Sequence, residues 1–220
     1  MNSTPAHSVD PRLLAALSAQ NASTRLQAAL AAGTHPRPAL LGALIDRCAV
    51  EPDFFVRDML TWALTRLPSE LTVPRLCAEL ESEGAQARGQ ALHTLSKIGD
   101  RAVWPLITPA LLRDPDDDVA RSAWRAAVVL VPEAEREALA TELATQFGRG
   151  DRDVRRSLSR ALVTLGAVIT TVLHRAGGSA DPHVRAHAQA TEQLLRDPDA
   201  AFGLDIDAAK RVAALDGAPC

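Results

Sequence analysis

The chain has 220 residues, of which 47% are hydrophobic and 3% aromatic, and its formal net charge is −3. Dedicated nucleic-acid-binding domains usually have an isoelectric point above about 9, so the value of about 6.1 found here argues against that class. The chain has no Tyr, and Ala and Leu supply most of its apolar residues. Such small or unbranched side chains favour helices over strands, so the composition predicts an all-α protein.

The cysteines predict a reducing environment. Cys48, Cys77 and Cys220 are odd in number and far apart, and no two of them form a C-x-x-C pair. We therefore expect free thiols rather than a disulfide framework or a zinc site. No run approaches about 18 consecutive apolar residues, so no membrane span is expected. These features predict a cytoplasmic protein.

The predicted elements form six pairs of helices. Residues 1–9 are polar, without the apolar core of a signal peptide, and predict a flexible leader. Gly33 is expected to end the second helix, and Pro109 to kink the first helix of the fourth pair. The helices are expected at about 10–17 and 23–32, 38–49 and 53–67, 72–81 and 85–98, 102–113 and 116–130, 133–147 and 151–165, and 167–176 and 181–195.

Residues 197–220 follow the last predicted pair. They predict a C-terminal cap or a flexible tail, with one weak helix near Ile206–Leu215.

One pattern repeats along the chain, namely an arginine followed by apolar residues three, six or seven, and ten positions later. Counting the weaker first and last copies, it occurs at Arg25, Arg57, Arg88, Arg121, Arg155 and Arg185. Successive arginines are 30 to 34 residues apart. This period is typical of proteins built from stacked helix pairs, in which each repeat packs on its neighbours. The repeats predict one elongated domain over residues 10–196.

Several of these elements carry a family resemblance. They are Asp53…Val56-Arg57…Ala63-Leu64, Val154-Arg155…Ala161-Leu162…Leu165-Gly166 and His183-Val184-Arg185…Ala188. They resemble HEAT repeats, in particular the short bacterial HEAT-like type also found in relatives of phycobilisome lyases. The resemblance implies a right-handed α-solenoid of about six antiparallel helix pairs. It also implies that the second helix of each pair lines the concave side.

Acidic and basic residues recur at the starts of the second helices. An Asp stands near the start at Asp53, at Asp116 to Asp118, at Asp151 and at Asp181, where a carboxylate can cap free backbone amides. Two interpretations of the repeated arginines remain. Each arginine could pair with such an Asp and form a ladder that sets the register of the repeats, or it could bind anions on the inner surface. Recurrence with the repeat favours the ladder.

Basic residues outside this ladder suggest a binding surface on the second helices. After the capping acids are set aside, the second helices carry Arg66, Lys97, Arg125, Arg156, Arg160, His93 and His187 against Asp58 and Glu192. With the resemblance, this distribution implies a basic inner face that attracts an anionic partner. The alternative is that Trp62 is buried between pairs and the cations are solvated. The candidate partner-binding residues are Asp58, Trp62, Arg66, His93, Lys97, Arg125 and Arg160.

No pattern in the sequence predicts catalysis, a cofactor or a metal site. His183 and His187 stand four residues apart near Asp181, but a solvated pair explains them better than a metal site. The acidic run 114–118 lacks the Gly and the distal Glu of a calcium loop. Trp104 and Trp124 have the helical spacing of core residues.

Two functions from different classes remain in view. The first is a non-catalytic scaffold for protein–protein interaction that binds an acidic peptide or protein on its concave face. The second is nucleic-acid binding, because HEAT-like repeats also occur in bacterial alkylpurine DNA glycosylases, which need aromatic and acidic groups around an extruded base. The low aromatic content and the acidic isoelectric point favour the scaffold. A lyase or chaperone for a chromophore rests on family analogy alone.

Overall fold

The computed structural model describes residues 10–197, which contain α-helices, short 3-10 helices and turns but no strand. The all-α class is therefore confirmed. The predicted leader at 1–9, Cys220 and the predicted tail, apart from Asp197, lie outside the described residues. The α-helices are α1 Pro11–Leu17, α2 Ala22–Thr34, α3 Leu41–Val50, α4 Phe54–Thr65, α5 Ser69–Glu79, α6 Ala85–Ile98, α7 Pro109–Leu112, α8 Asp117–Leu130, α9 Arg136–Ala144, α10 Arg152–Thr164, α11 Thr170–Gly177 and α12 Pro182–Arg196.

The helices form six consecutive pairs, α1/α2 through α11/α12, as the periodicity predicts. They are divided between two compact units, one ending at Pro132 and the other beginning at Glu133. In the first unit the second helices pack in succession, α2 on α4, α4 on α6 and α6 on α8. In the second unit α10 packs on α12 and α9 on α11. The fold class is the predicted helix-pair solenoid type, while its hand and a single domain over residues 10–196 stay predictions.

The repeated apolar positions form the core. Leu60 and Leu64, three and seven residues after Arg57, are fully buried, as are Leu158 and Leu162 after Arg155. Burial of a leucine side chain contributes roughly 2 kcal/mol, so each second helix is held mainly by this stripe. Trp124 is also fully buried, and its indole Nε1 donates to the carbonyl oxygen of Leu112 at 2.8 Å. The core role predicted for Trp124 is confirmed, whereas Trp104 is half-buried.

The acidic caps of the second helices are confirmed. Oδ1 of Asp53 accepts from the backbone N–H groups of Phe55 and Val56 at 2.9 and 3.1 Å. Asp116 and Asp151 make the same pair of bonds at the starts of α8 and α10. At the start of α12, Asp181 accepts one such bond from His183 at 2.8 Å. These caps satisfy amide groups that the first helical turn leaves without partners.

The first helix of the fourth pair is broken rather than kinked at Pro109. A 3-10 helix runs over Arg101–Leu106, and α7 begins at Pro109 itself. The hydroxyl of Thr108 caps α7 by accepting from the N–H of Leu111 at 3.4 Å. Proline suits the first position of a helix because that position needs no N–H donor. The Thr-Pro pair therefore starts a helix instead of bending one.

Gly33 does not end a helix, contrary to the prediction. It lies inside α2, which continues to Thr34, and it is buried. A Cβ atom at Gly33 would overlap the six-membered ring of Trp62 on α4. The missing side chain therefore serves close packing of α2 on α4. At the end of α6, by contrast, Gly99 adopts a φ of 74°, which is the helix-ending conformation that glycine favours.

Candidate interaction cleft

The repeated arginines hold the loop that precedes their own helix. In four repeats the arginine Nη1 donates to the carbonyl oxygens six and five residues earlier, at distances of 2.7 to 2.9 Å in three of them. In the fourth, Arg88 makes the same bonds at 2.8 and 3.0 Å. The arginines that do this are Arg25, Arg57, Arg88 and Arg185. The recurrence of arginine at this repeat position is thus explained, because one guanidinium group satisfies two loop carbonyl oxygens.

Two of these arginines also form the expected ladder, but with different acids. Nε and Nη2 of Arg25 bind both carboxylate oxygens of Glu51 at 2.7 Å. Arg88 binds Asp114 in the same way at 2.9 and 3.2 Å. At Arg25 and Arg88 the predicted Asp at the helix start is not the acceptor, because each acid stands two residues before the cap. Arg121 does pair with a helix-start acid of its own helix, Asp118, at 3.2 Å.

The ladder acids also hold the turn that leads into the next helix. The carboxylate of Glu51 accepts from the N–H of Asp53, and that of Asp114 from the N–H of Asp116, each at 2.9 Å. Desolvation raises the pKa of Glu51, but the bonds from Arg25 and the N–H of Asp53 and the charge of Arg47 together bring its pKa below the ordinary value. Glu51 is therefore charged in the folded protein at neutral pH.

Arg57 lacks such an acid. The loop before α6 carries Ser82 two residues before the cap Gly84, where Glu51 and Asp114 stand before α4 and α8. The hydroxyl of Ser82 accepts from the N–H of Gly84 at 3.3 Å. Within the described residues, Arg57 donates to the carbonyl oxygens of Glu51 and Pro52 through Nη1, and its Nε and Nη2 have no partner. One edge of the guanidinium group of Arg57 is therefore available.

Arg57 lines a cleft of about 730 Å³ in the first unit. The cleft is bordered by α4, α6 and α8, the second helices of three successive pairs. Its apolar lining includes Phe54, Ala85, Gly89 and Val119. Its polar and charged lining consists of Arg57, Asp58, Gln86, Gln90, His93, Asp116, Asp118, Arg121, Ser122 and Arg125.

The cleft brings together three of the seven residues proposed from the sequence, namely Asp58, His93 and Arg125. The others do not line it. Arg66 stands at the C-terminal end of α4, Lys97 in the last turn of α6, and Trp62 packs on Gly33 with 37% of its surface exposed. Arg160 is exposed on α10 in the second unit.

The partner-binding residues predicted from the sequence do not include Arg57, because its recurrence favours a role in the repeat over anion binding. The signal that marks it is the absence of an acid at Ser82. Gln86 was also missed; its side-chain amide donates to the carbonyl oxygens of Cys48 and Glu51 at 2.9 and 2.8 Å. These bonds attach the start of α6 to the preceding repeat.

The charges in the cleft are mixed rather than uniformly basic. Three arginines and three aspartates line it. Asp116 caps α8, and Asp118 pairs with Arg121 at 3.2 Å. The cleft is therefore not the uniformly basic surface that the sequence predicts for the second helices, and some of its acids serve the helix itself.

Arg125 is the second cleft arginine without an acidic partner. It donates to the hydroxyl of Ser122 at 3.1 Å and to the carbonyl oxygen of Arg121 at 3.3 Å, and it makes no ion pair in the described part of the chain. Desolvation, followed by the nearby charge of Arg121, lowers the pKa of Arg125. Its charge is thus incompletely compensated by the protein.

His93 is uncharged at neutral pH. Its pKa is lowered by desolvation and by the positive charges of Arg125 and Lys97, with only Asp58 acting in the opposite direction. Since an ordinary histidine titrates near pH 6.5, His93 contributes a neutral imidazole to the cleft.

Exposed aromatic residues stand beside the charged lining. Phe54 and Phe55 begin α4 with 65% and 70% of their surfaces exposed, and their rings meet edge to face with centroids 5.6 Å apart. Phe54 itself lines the cleft. Val50, 64% exposed, precedes them in the chain. Exposed aromatic groups next to arginine side chains are typical of the centres of protein interfaces.

His187, in the second unit, is not part of a solvated histidine pair. It is buried, while His183 is exposed. Nδ1 of His187 accepts from the N–H of Gly148 at 3.1 Å, and its Nε2 lies 2.9 Å from the carbonyl oxygen of Arg155. Its ring also packs edge to face on Phe147 at 5.0 Å. His187 is therefore a structural bridge between α10 and α12.

Two further observations concern the described residues as a whole. No group of three or more His, Cys, Asp or Glu side chains within residues 10–197 is arranged to hold a metal ion. In the same range, every helix is too short or too polar to cross a membrane.

Comparisons with known proteins give the following matches. Residues 51–128 match the family model of HEAT repeats. No curated protein matches the chain. Among solved structures, an engineered protein from the Northeast Structural Genomics Consortium shares 19% identity over 84% of this chain and 95% of that chain, with a TM-score of 0.46. A second engineered protein from the same consortium shares 18% identity over 84% of this chain and 57% of that chain, with a TM-score of 0.43.

The complex of CpcE and CpcF of phycocyanin lyase from Nostoc sp. PCC7120 is also similar in structure. A chain of this complex shares 18% identity with the present chain, and the match covers 89% of the present chain and 80% of the chain in the complex, with a TM-score of 0.47. No function is carried over from structural likenesses at this level.

The family match includes the whole cleft. Residues 51–128 extend from the loop before α4 into α8 and contain every residue that lines it. The matched segment also contains the capping acids Asp53 and Asp116 and three of the six repeated arginines. Residues 51–128 of the chain are HEAT-like repeats.

Proposed function

We propose that the protein is a non-catalytic scaffold for protein–protein interaction, and that its partner binds the cleft between α4, α6 and α8. The observation that carries the proposal is the combination of exposed Phe54 with Arg57 and Arg125 around one cleft, neither arginine having an acidic partner within residues 10–197. Aromatic and arginine side chains dominate the energetics of protein interfaces. A cleft of about 730 Å³ admits several side chains of a partner.

The arrangement of polar groups supports a binding role over a catalytic one. Ser122 and His93 both line the cleft, but the hydroxyl of Ser122 accepts from Arg125 and makes no hydrogen bond with His93 among the described contacts. Nucleophilic catalysis requires a hydroxyl or thiol held by a base. Since Cys48 and Cys77 are free thiols, a reducing cytoplasm is part of the same proposal.

Site-directed photo-crosslinking tests the proposal. A photoreactive phenylalanine analogue is placed at Ala85, which lines the cleft, and at Val129, an exposed position on α8 outside it. After irradiation in the native cytosol, we expect one defined protein to be crosslinked at Ala85 and not at Val129. Excess Ala85→Phe protein should not compete for this partner, whereas Val129→Phe protein should. Equal crosslinking at both positions would remove the cleft from the proposal.

A nucleic-acid titration distinguishes the alternative function. Short duplex and single-stranded DNA are titrated at low and physiological salt, with binding followed by fluorescence anisotropy. We expect no salt-sensitive micromolar binding, because Asp58, Asp116 and Asp118 repel phosphate groups in the cleft. Such binding, abolished by Arg125→Gln, would favour a nucleic-acid partner instead.

A further inference from the structure

The equivalent arginines of the neighbouring repeats indicate which chemistry suits the free edge of Arg57. Arg25, Arg57 and Arg88 occupy the same repeat position and donate through Nη1 to the same pair of loop carbonyls. In Arg25 and Arg88 the remaining edge, Nε and Nη2, holds a carboxylate with two bonds. The Nε and Nη2 edge of Arg57 is held in place in the same way, by the two hydrogen bonds that Nη1 donates to the loop carbonyl oxygens. The difference lies in its partner, because Ser82 stands in place of an acid.

A bidentate arginine edge is selective for planar oxyanions. Two parallel N–H donors match the two oxygens of a carboxylate, and such bonds are stronger than bonds between neutral groups. The carbonyl oxygens of Glu51 and Pro52 hold the guanidinium group of Arg57 in place. Little side-chain freedom is then lost when a ligand binds.

The other cleft residues decide between kinds of carboxylate carrier. A nucleic-acid backbone carries one charge per nucleotide and would pass Asp58, Asp116 and Asp118 in the same lining. A peptide can instead present one acid to Arg57 and an apolar side chain to exposed Phe54. Charge complementarity in the cleft therefore favours a peptide with isolated acids.

We infer that the cleft binds a peptide segment of the partner by receiving one Asp or Glu side chain on the Nε and Nη2 edge of Arg57, in the place where the neighbouring repeats supply their own acid. This inference rests on the proposed function and names the chemistry of the partner. It separates Arg57, a ligand-binding arginine, from Arg25 and Arg88, whose equivalent edges are occupied within the chain.

The inference is tested with peptides selected on the protein itself. A random twelve-residue phage library is panned on the full chain, with Ala85→Phe protein used to remove peptides that bind elsewhere. We expect the selected peptides to share one acidic position. Replacing that acid by its amide should weaken binding to the wild-type protein about tenfold or more, as measured by fluorescence anisotropy.

Two protein variants locate the acid on Arg57. Ser82→Asp returns the missing acid to the loop, where it should occupy the free edge of Arg57 and weaken peptide binding about tenfold. Ser82→Asn has a similar size without the charge and is the matched control, with affinity expected near that of the wild type. Arg57→Lys keeps the positive charge but loses the two parallel N–H donors. It should weaken peptide binding as much as the amide substitution in the peptide does, and combining the two changes should weaken binding no further.

Each outcome separates the inference from the proposed function. Peptides that depend on Ala85 but lack a shared acid, or that bind Ser82→Asp protein normally, overturn the inference and leave the cleft as a docking site. Failure to select any peptide sensitive to Ala85→Phe overturns both. Competition by a short DNA duplex that also depends on Arg57 overturns the choice of a peptide. Because the amide substitution is made in the peptide, a folding defect in a protein variant cannot produce the expected result.

Discussion

Gly33 of α2 lies against the indole ring of Trp62 of α4, so that a Cβ at Gly33 would overlap the six-membered ring. Gly33 is buried, while Trp62 keeps 37% of its surface exposed. The contact joins the second helices of two successive repeats. This contact explains why a glycine stands inside helix α2. It also gives Trp62, which the sequence suggests as a partner-binding residue, a role in packing between repeats.

The first prediction concerns this contact. Gly33→Ala should destabilise the protein by about 1–3 kcal/mol, because the added methyl group forces the ring of Trp62 away from α2. The helix itself would otherwise favour alanine, so the loss must come from the clash. Urea denaturation followed by tryptophan fluorescence and by circular dichroism measures it. An unchanged or raised midpoint would show that Trp62 can move without cost.

The second prediction is the opposite effect at a glycine with space around it. Gly89 lies inside α6, and a Cβ there would meet its nearest neighbours, atoms of Ser122 and Val119, at 3.9 Å. Since this is ordinary contact, Gly89→Ala should stabilise the protein by about 0.5–1 kcal/mol through lower backbone entropy in the unfolded chain. The same denaturation experiment checks it. A loss of stability would mean that α6 and α8 pack more closely than these distances indicate.

The third prediction concerns buried His187 and pH. Desolvation and the charge of Arg155 lower the pKa of His187, against the opposing hydrogen bond to the carbonyl oxygen of Arg155. The unfolded chain therefore binds a proton more readily than the folded one, and stability falls as the pH drops below about 6.5. Protonation of Nδ1 also removes the acceptor of the N–H of Gly148.

Urea midpoints at about pH 7.5 and about pH 5 measure this effect. His187→Asn, which keeps a polar acceptor but does not titrate, should lose less stability between these two pH values than the wild type. His183→Asn alters an exposed histidine in the same helix and should behave as the wild type. An identical pH dependence in wild-type and His187→Asn proteins would contradict the prediction.

The fourth prediction concerns the reactivity of Cys48. Burial, followed by the charge of Glu51, raises the pKa of this thiol to about 12. At about pH 8 its thiolate fraction is then on the order of one in ten thousand, so alkylation should be very slow. Iodoacetamide labelling followed by peptide mass spectrometry should find Cys48 unmodified in the native protein and modified in urea. Half-buried Cys77, whose pKa is raised by a smaller extent of burial, should react before it. Labelling of native Cys48 at the rate of Cys77 would be inconsistent with its burial.

The repeat architecture could be predicted because it depends on local signals. The spacing of the arginines, the apolar stripe after each of them and the acids at Asp53, Asp116, Asp151 and Asp181 all act within one or two helical turns. The errors occurred where one residue type serves opposite purposes. Gly33 was expected to end a helix but permits a close approach, and Pro109 was expected to kink a helix but begins one. Only the neighbouring helix, or a capping hydroxyl, distinguishes these roles.

The candidate cleft could be predicted only in part. Asp58, His93 and Arg125 could be identified because the repeat itself does not require a polar side chain at their positions. Arg57 was set aside because it repeats, although its availability depends on Ser82, which is 25 residues away in the sequence. Such a dependence becomes visible only when the partners of Arg25 and Arg88 are known. The mixed charge of the lining was missed for a similar reason, since capping acids on α8 lie in the same cleft.

The sequence by itself determined that residues 10–197 form six helix pairs with a leucine-rich core, because helix periodicity and capping act over short distances along the chain. The tertiary structure decided which of the repeated arginines are satisfied. The Nε and Nη2 edge of an arginine is occupied or available according to the residue that the next loop places against it. Packing between repeats decides which residue of that loop comes close enough. The same guanidinium group therefore holds the fold at Arg25 and Arg88 and offers a binding edge at Arg57.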